Sequence, residues 1–279
     1  MIKLFLTDVD GTLFPEYGQE LPDCFFDSLR ELMDRGVLFG VCSGRPKGNL
    51  EKVFGPVTKD ILFVCENGAY AAYRGENILL ESIAAEDVAG VVRDVRRLDG
   101  CASMYDTGEI CYFERGDEEG FEAMRDVYHF DCEMVEDLLV LKQPCIKFTI
   151  YRRDHIEAVL ADAFIPKWTP KLSIACSGER VMDIMSKQVS KGTTIAAIQK
   201  RFGIALEETL AVGDNLNDVE MLKQAAYSVA VANARDIVKA ICRYETASCT
   251  DDGELKIIQS LLADFDDPDR ALMPYKKSN

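Results

Sequence analysis

Two carboxylates, Asp8 and Asp10, stand one residue apart in "TDVDGT", directly after the apolar run "IKLFL". Strand periodicity turns both side chains to one side, and Gly11 lets the chain fold sharply behind them. Neighbouring carboxylates repel, so a metal cation or a shared proton is the expected compensation, unless the pair is a plain acidic turn. Three other stretches also place polar groups at the end of an apolar run or the start of a helix. "VCSGRP" at 41–46 offers the Ser43 hydroxyl and, around Gly44, backbone N–H groups entering a helix at Pro46. Such a stretch is an anion cradle or simply a capped helix start. In "SKGTT", Lys191 opens a helix against the macrodipole, which calls for an anion beside it or solvent around it. "AVGDNLND" at 211–218 crowds Asp214, Asn215, Asn217 and Asp218 together, oxygen ligands suited to a hard cation.

No structural requirement couples these four stretches. Two carboxylates, a hydroxyl, a lysine and an acidic pair together describe magnesium-assisted phosphoryl transfer. A carboxylate nucleophile would form an aspartyl-phosphate and split a slow hydrolysis into two steps. Magnesium would screen the nucleophile from the phosphate, while Lys191 and Ser43 would stabilise the transferring group.

The elements that must position them form two patterns. Short apolar runs at 2–7, 37–42 and 61–65 alternate with helical patterns near 22–35 and 46–54. The same alternation returns with a helix near 191–202, a strand at 208–213, a helix near 217–225 and a strand at 226–231. Strands alternating with helices imply parallel pairing and right-handed crossovers, hence an α/β, doubly wound, Rossmann-like sheet. Ligands of such sheets bind outside the carboxyl ends of the strands, where the polar groups fall. From about 82 to 186 the pattern changes to hairpins, "CASMYDTGEICYFER" turning at Asp106 to Glu109 and "KLSIACSGERVMDIM" turning at Ser177 to Glu179. Helical patterns near 117–128 and 154–162 and a strand near 145–151 lie between them. The expected organisation is a discontinuous core, 1–81 with 187–279, carrying an inserted α+β domain over 82–186. Only the tail "PYKKSN" is expected to be disordered.

The 279 residues carry a formal charge of -16, which disfavours nucleic acid and anionic membrane surfaces as partners, so an anionic substrate needs local cations. Ten cysteines show no C-x-x-C pair, and Cys42, Cys65, Cys145 and Cys176 lie in apolar stretches. That usage, with an N-terminal apolar run too short for a signal peptide and no stretch long enough to span a bilayer, predicts a cytoplasmic protein. His129 and His155 lack metal-ligand spacing and are expected at the surface or in packing, as is Trp168 in the core or a hinge. "RDVRRL" at 93–98 is expected to be a solvated helix. Arg45 either pairs with an acid or touches the substrate, and the second is the expectation carried forward.

"DVDGT", "SGR", a lysine before "GT" and "GDNLND" resemble the four ordered motifs of the haloacid dehalogenase (HAD) superfamily. "ENGA" at 66–69, "VSKG" at 189–192 and "VANA" at 231–234 resemble its Cof-like (subfamily IIB) branch of phosphatases, and the inserted segment sits where that branch carries an α/β cap. The resemblance implies Asp8 as nucleophile and metal ligand. It implies Asp10 as general acid and then base, binding the metal through its backbone carbonyl. Ser43, Gly44 and Lys191 would hold the phosphoryl group, and Asp214 would bind Mg2+. Asn217 and Asp218 would orient the metal's surroundings or Lys191, and Thr12 would support the site. The implied activity is hydrolysis of a small phosphorylated metabolite, a sugar phosphate or a relative of one, with specificity set by the cap near "MYDTGE" and "CSGERVMD". A phosphosugar mutase and a catalytically silent metabolite-binding regulator are the rivals; release of inorganic phosphate separates the first, turnover of an aryl phosphate the second. No feature names a protein partner.

Overall fold

A computed structural model describes residues 1–15, 20–127, 130–176 and 179–277. The chain opens with β1 (Leu4–Thr7), α1 (Asp23–Asp34), β2 (Leu38–Cys42), α2 (Lys47–Val53), β3 (Leu62–Cys65), β4 (Tyr70–Tyr73) and β5 (Glu76–Leu80). It continues through α3 (Ala85–Val95), β6 (Cys101–Asp106), β7 (Cys111–Glu114), α4 (Glu118–Glu122), β8 (Cys132–Val135), β9 (Lys147–Arg152), α5 (Ile156–Leu160), α6 (Phe164–Trp168), β10 (Leu172–Cys176) and β11 (Val181–Ser186). It closes with α7 (Lys191–Phe202), β12 (Thr209–Gly213), α8 (Val219–Leu222), β13 (Tyr227–Val231), α9 (Asp236–Ile241), β14 (Tyr244–Thr246), α10 (Gly253–Ala263) and α11 (Pro268–Ala271).

Two compact units result. One comprises Met1–Arg45, Leu50–Leu79 and Ser190–Asn279, the other Pro46–Asn49 and Leu80–Val189. The first unit is built on a sheet of order β14-β13-β12-β1-β2-β3-β4-β5. Its pairs from β14 to β3 are parallel and β4 runs antiparallel to β3. Every residue of β1 and of β12 is buried, as expected of parallel strands covered on both faces. Helix α1 buries Phe25, Phe26, Leu29 and Leu32, one stripe at helical spacing. The doubly wound α/β expectation therefore holds for this unit.

The second unit is a six-stranded sheet of order β10-β11-β9-β6-β7-β8, antiparallel except where β7 meets β8. Its strands alternate between two apolar clusters: Tyr105, Phe148 and Ile150 join one with Trp168, whereas Ala102, Met104 and Tyr151 join the other. Trp168 is core packing, with Nε1 donating to Asp94 Oδ2 at 2.9 Å. Arg96, in the basic stretch, pairs at the surface with Glu114 and Asp137. His155 is exposed near Glu179; His129 lies outside the described residues, as do Ser177 and Gly178 of the second hairpin turn.

One expectation is corrected. Residues 274–277 of the tail are held: Lys276 bridges to Tyr244, and the Lys277 ammonium donates to carbonyls of Lys239 and Cys242, while residues 278 and 279 lie outside the described residues. A polar tail reads as loose in sequence because its partners, 30 or more residues earlier, are invisible there. Strands β4, β5 and β14 and helix α10 were not foreseen; β14 has three residues and β5 is largely exposed, too weak a pattern for periodicity to show.

Candidate active site

The chain passes from β1 to β2 on one side and returns to β1 from the other side in β12, so β1 sits where the strand order reverses. Thr7 is level with Val41 of β2 and Val212 of β12, which puts Asp8, Ser43 and Asp214 at one carboxyl edge. Helix α7 supplies the cation to that edge. Its start is fixed by the Ser190 hydroxyl accepting from Thr193 N, while Thr193 Oγ1 accepts from Ser190 N. Gly192 then allows close contact, since a Cβ there would lie 2.5 Å from the Glu220 carbonyl oxygen.

Lys191 is 1 % exposed, and its Nζ donates to Asp8 Oδ1 at 2.5 Å and to Asp218 Oδ1 at 2.6 Å. The other Asp218 oxygen accepts from the backbone N–H groups of Asp214 and Asn215, both at 3.0 Å. Thr12 Oγ1 lies 3.0 Å from Asp214 Oδ1 and 3.3 Å from Asp8 Oδ2, tying the two acids together. Gly11, at φ +84°, brings the turn against Asp214, where any Cβ would sit 2.5 Å from Oδ2. Carboxylate oxygens of Asp8, Asp214 and Asp218 lie within 4.8 Å of one another. Three carboxylates thus face one ammonium.

The electrostatics follow from that imbalance. Burial, then the Asp218 charge, push Asp8 up to about 8 despite Lys191, and burial with Asp218 pushes Asp214 up to about 6. Burial opposes the Lys191 charge, but Asp218 and Asp8 outweigh it and hold the ammonium above the ordinary lysine range. The donor set fits a hard divalent cation: all oxygen, closely spaced, and short of positive charge. Asp218 gives one oxygen to Lys191 and the other to backbone N–H groups, and Asp8 and Asp214 stand beside it as carboxylates able to hold the ion.

The structure places the other expected site residues as follows. Asp10 does not lie beside Asp8: β1 ends at Thr7, the chain turns, and both Asp10 carboxylate oxygens accept from the Arg45 guanidinium, at 2.7 and 2.5 Å. Its carboxylate is therefore outside the acidic cluster, and Asp218 takes the third place there. Arg45, expected to touch substrate, is engaged by Asp10 and stacks over Phe14, because a bidentate carboxylate is the stronger partner within reach. Ser43 is buried and its hydroxyl accepts from Arg45 N at 3.1 Å, shaping the turn after β2, while Gly44 lies against the Asn67 side chain. Asn217 donates to Asn67 Oδ1 at 2.9 Å and touches neither Lys191 nor the acids. Asp218 does orient Lys191.

Other residues of the site carried no assigned role in sequence. Asn67, in "ENGA", braces Asn217. Asn233, in "VANA", donates to the Gly11 carbonyl at 2.6 Å and fixes the turn after β1. Glu254 lies buried in α10, its carboxyl on Thr7. The signal for it was available: Glu254 shares the helical spacing of Ile258 and Leu261, the buried face of α10.

Comparison with known proteins agrees with this architecture. A family model for haloacid dehalogenase-like hydrolases matches residues 5–258. The 5-amino-6-(5-phospho-D-ribitylamino)uracil phosphatase YbjI of Escherichia coli is 25% identical over 261 residues, 94% of this chain and 96% of that protein. A solved structure from Eubacterium rectale superposes with a TM-score of 0.89 at 32% identity, covering 93% of this chain and 99% of that one. The HAD subclass IIB sugar phosphatase BT4131 superposes with a TM-score of 0.74 at 26% identity, covering 92% and 98%. The match runs from within β1 into α10, so it takes in every strand end described above, and the chain belongs to the haloacid dehalogenase-like hydrolase family.

Proposed function

We propose that this protein is a magnesium-dependent phosphatase that hydrolyses a small phosphate monoester, a sugar phosphate or related metabolite, through an aspartyl-phosphate. It is a phosphoric monoester hydrolase, as its named relatives are. The observation that carries the finer reading is the acidic cluster at the ends of β1 and β12, three carboxylates around a single buried lysine. Asp8 attacks phosphorus and the bond to the leaving oxygen breaks, with Asp10 giving that oxygen a proton. Water then attacks the phosphoryl group, Asp10 takes its proton, and the bond to Asp8 breaks to release inorganic phosphate. Both Asp10 oxygens are held by Arg45, so at least one of those bonds opens in each proton transfer. Lys191 stays charged throughout and holds Asp8 in line. Asp8 and Asp214 would hold magnesium, which would supply positive charge to the transferring phosphoryl group.

The sugar-phosphate class is supported by the likeness to the subclass IIB sugar phosphatase, and the inserted unit is proposed to set specificity. No helix among the described residues is long and apolar enough to cross a membrane. A cytoplasmic setting belongs to the same proposal, supported by Cys42 and Cys145, buried as small apolar side chains. Asp8→Asn tests the reading: magnesium-dependent release of phosphate from p-nitrophenyl phosphate should vanish while the circular dichroism spectrum is unchanged. Wild-type turnover in that variant would remove Asp8 as nucleophile. A panel of phosphorylated metabolites, assayed with and without magnesium, then locates the substrate.

A further inference from the structure

Directly behind Asp8 lies an acid that the reaction above does not use. Glu254, near the start of α10, is 2 % exposed, and its Oε1 is buried with no hydrogen-bond partner. Its Oε2 contacts Thr7 Oγ1, and that same hydroxyl lies 2.5 Å from the Asp8 carbonyl oxygen. No lysine, arginine or histidine among the described residues pairs with Glu254, and its long-range neighbour in charge is Asp8, another acid.

The protons at this contact can be counted. Thr7 Oγ1 has one hydrogen, and two oxygens stand at bonding distance from it. A carbonyl can only accept, so the Thr7 hydrogen belongs to Asp8 O if both contacts are to be hydrogen bonds. The second hydrogen must then come from the carboxyl. An ionised Glu254 would instead leave two acceptors competing for one hydrogen, with a buried, uncompensated charge. Burial, with the Asp8 charge adding to it, holds Glu254 well above the ordinary glutamate range, which agrees with the count. A neutral acid also explains the lone Oε1, since an unpartnered carbonyl oxygen is easier to bury than a carboxylate.

We propose that Glu254 is a positioning residue for Asp8: as a neutral acid it donates to Thr7 Oγ1, Thr7 donates to the Asp8 carbonyl, and this relay fixes the backbone carrying the attacking carboxylate. The proposal rests on the reading of Asp8 as nucleophile. It requires no proton transfer during turnover, only that the two hydrogen bonds persist.

Steady-state kinetics of the full chain with p-nitrophenyl phosphate and magnesium test it. Glu254→Leu and Thr7→Val should each lower kcat about 10- to 100-fold, the scale of a small misplacement of a reacting group, with KM kept within about twofold. The double variant should be no worse than the poorer single one, because both break one relay. Glu254→Gln should retain most of kcat, its amide donating the bond the acid donates. A purely structural role would lower Tm and leave kcat alone, and that outcome overturns the proposal. So does Glu254→Gln falling as far as Glu254→Leu. If Glu254→Leu does not fold, Thr7→Val, which keeps the side-chain shape, decides alone. A readout independent of activity is the infrared carbonyl band of a protonated carboxyl group at pH 7, present in the native protein and lost in Glu254→Gln; no difference between the two overturns the proposal. Asp8→Asn separates the failures: if it retains turnover the nucleophile reading falls, whereas full kcat in Thr7→Val beside a dead Asp8→Asn removes only the relay.

Discussion

Each unit buries a lysine among acids, and the two arrangements are made differently. In the inserted unit, Asp106 and Lys147 are opposite one another in the β6–β9 register, with Nζ 3.9 Å from Oδ2, and Thr149 donates to Asp183 Oδ1 at 2.7 Å across β9 and β11. Antiparallel register sets the Lys147 charge against the Asp106 charge and gives Asp183 a neutral donor, so each acid meets a partner across the sheet. In the first unit the groups come from the ends of parallel strands and the start of a helix, where no register pairs them. Three carboxylates gather around Lys191, and the surplus negative charge is left for a ligand. A charge-matched cluster stabilises its own sheet; an unmatched one holds binding capacity at a cost in stability.

The largest expected effect comes from removing the single cation of the unmatched cluster. Lys191→Met should lower kcat on the order of a thousandfold, as loss of a charge-stabilising donor does, and should destabilise the protein more as pH rises, since Asp8 and Asp218 are left facing each other. Equal losses of Tm at pH 5 and pH 8 would end the contrast between the clusters. Removing an acid should do the opposite to stability. Asp214→Asn is expected to raise the magnesium needed for half-maximal activity about 10- to 100-fold, yet to raise the Tm of the metal-free protein by about 2–4 °C, because it relieves repulsion. A lower metal-free Tm would show that Asp214 was already compensated.

In the matched pair the same type of substitution should behave as an ordinary buried defect. Lys147→Met should cost about 3–5 kcal/mol in urea unfolding by stranding Asp106, and adding Asp106→Leu should recover most of it. Magnesium should raise Tm by the same amount in that variant as in the native chain. The pH dependence of this magnesium effect sharpens the distinction further. Asp214, raised to about 6, and Asp8, raised to about 8, must lose protons to ligate, so the Tm gain on adding magnesium should grow from pH 5 to pH 8. A gain that is flat over that range would place the ion elsewhere. The smallest effect is expected at Asn217, which holds Asn67 and no reacting group: Asn217→Ala should change kcat by less than about threefold.

Most of the first unit could be read in advance. Its apolar runs are buried toward their carboxyl ends, so those ends marked the polar groups that matter, and Asp8, Lys191, Asp214 and Asp218 do meet. The sheet of the second unit was legible as hairpins and α4 and α5 as helical patterns, but α6 and the strands at either edge of the first sheet were not, because a few residues of mixed polarity carry no clear period. Within the site, adjacency in sequence misled. Asp8 and Asp10 share one stretch and were expected to share one face, but the strand ends between them and Asp10 turns to Arg45.

The sequence by itself determined which chemistry this protein carries, since residue type and order along four strand and helix ends are local properties. Only the tertiary structure decided how that chemistry is divided. It brought Asp218 rather than Asp10 to the acidic cluster, turned Arg45 onto Asp10, and set Glu254 behind Asp8 through Thr7, 247 residues away. The physical reason is that each of these contacts depends on a distance closed by folding, and a carboxylate's partner is whichever donor the packed sheet and helices leave within about 3 Å.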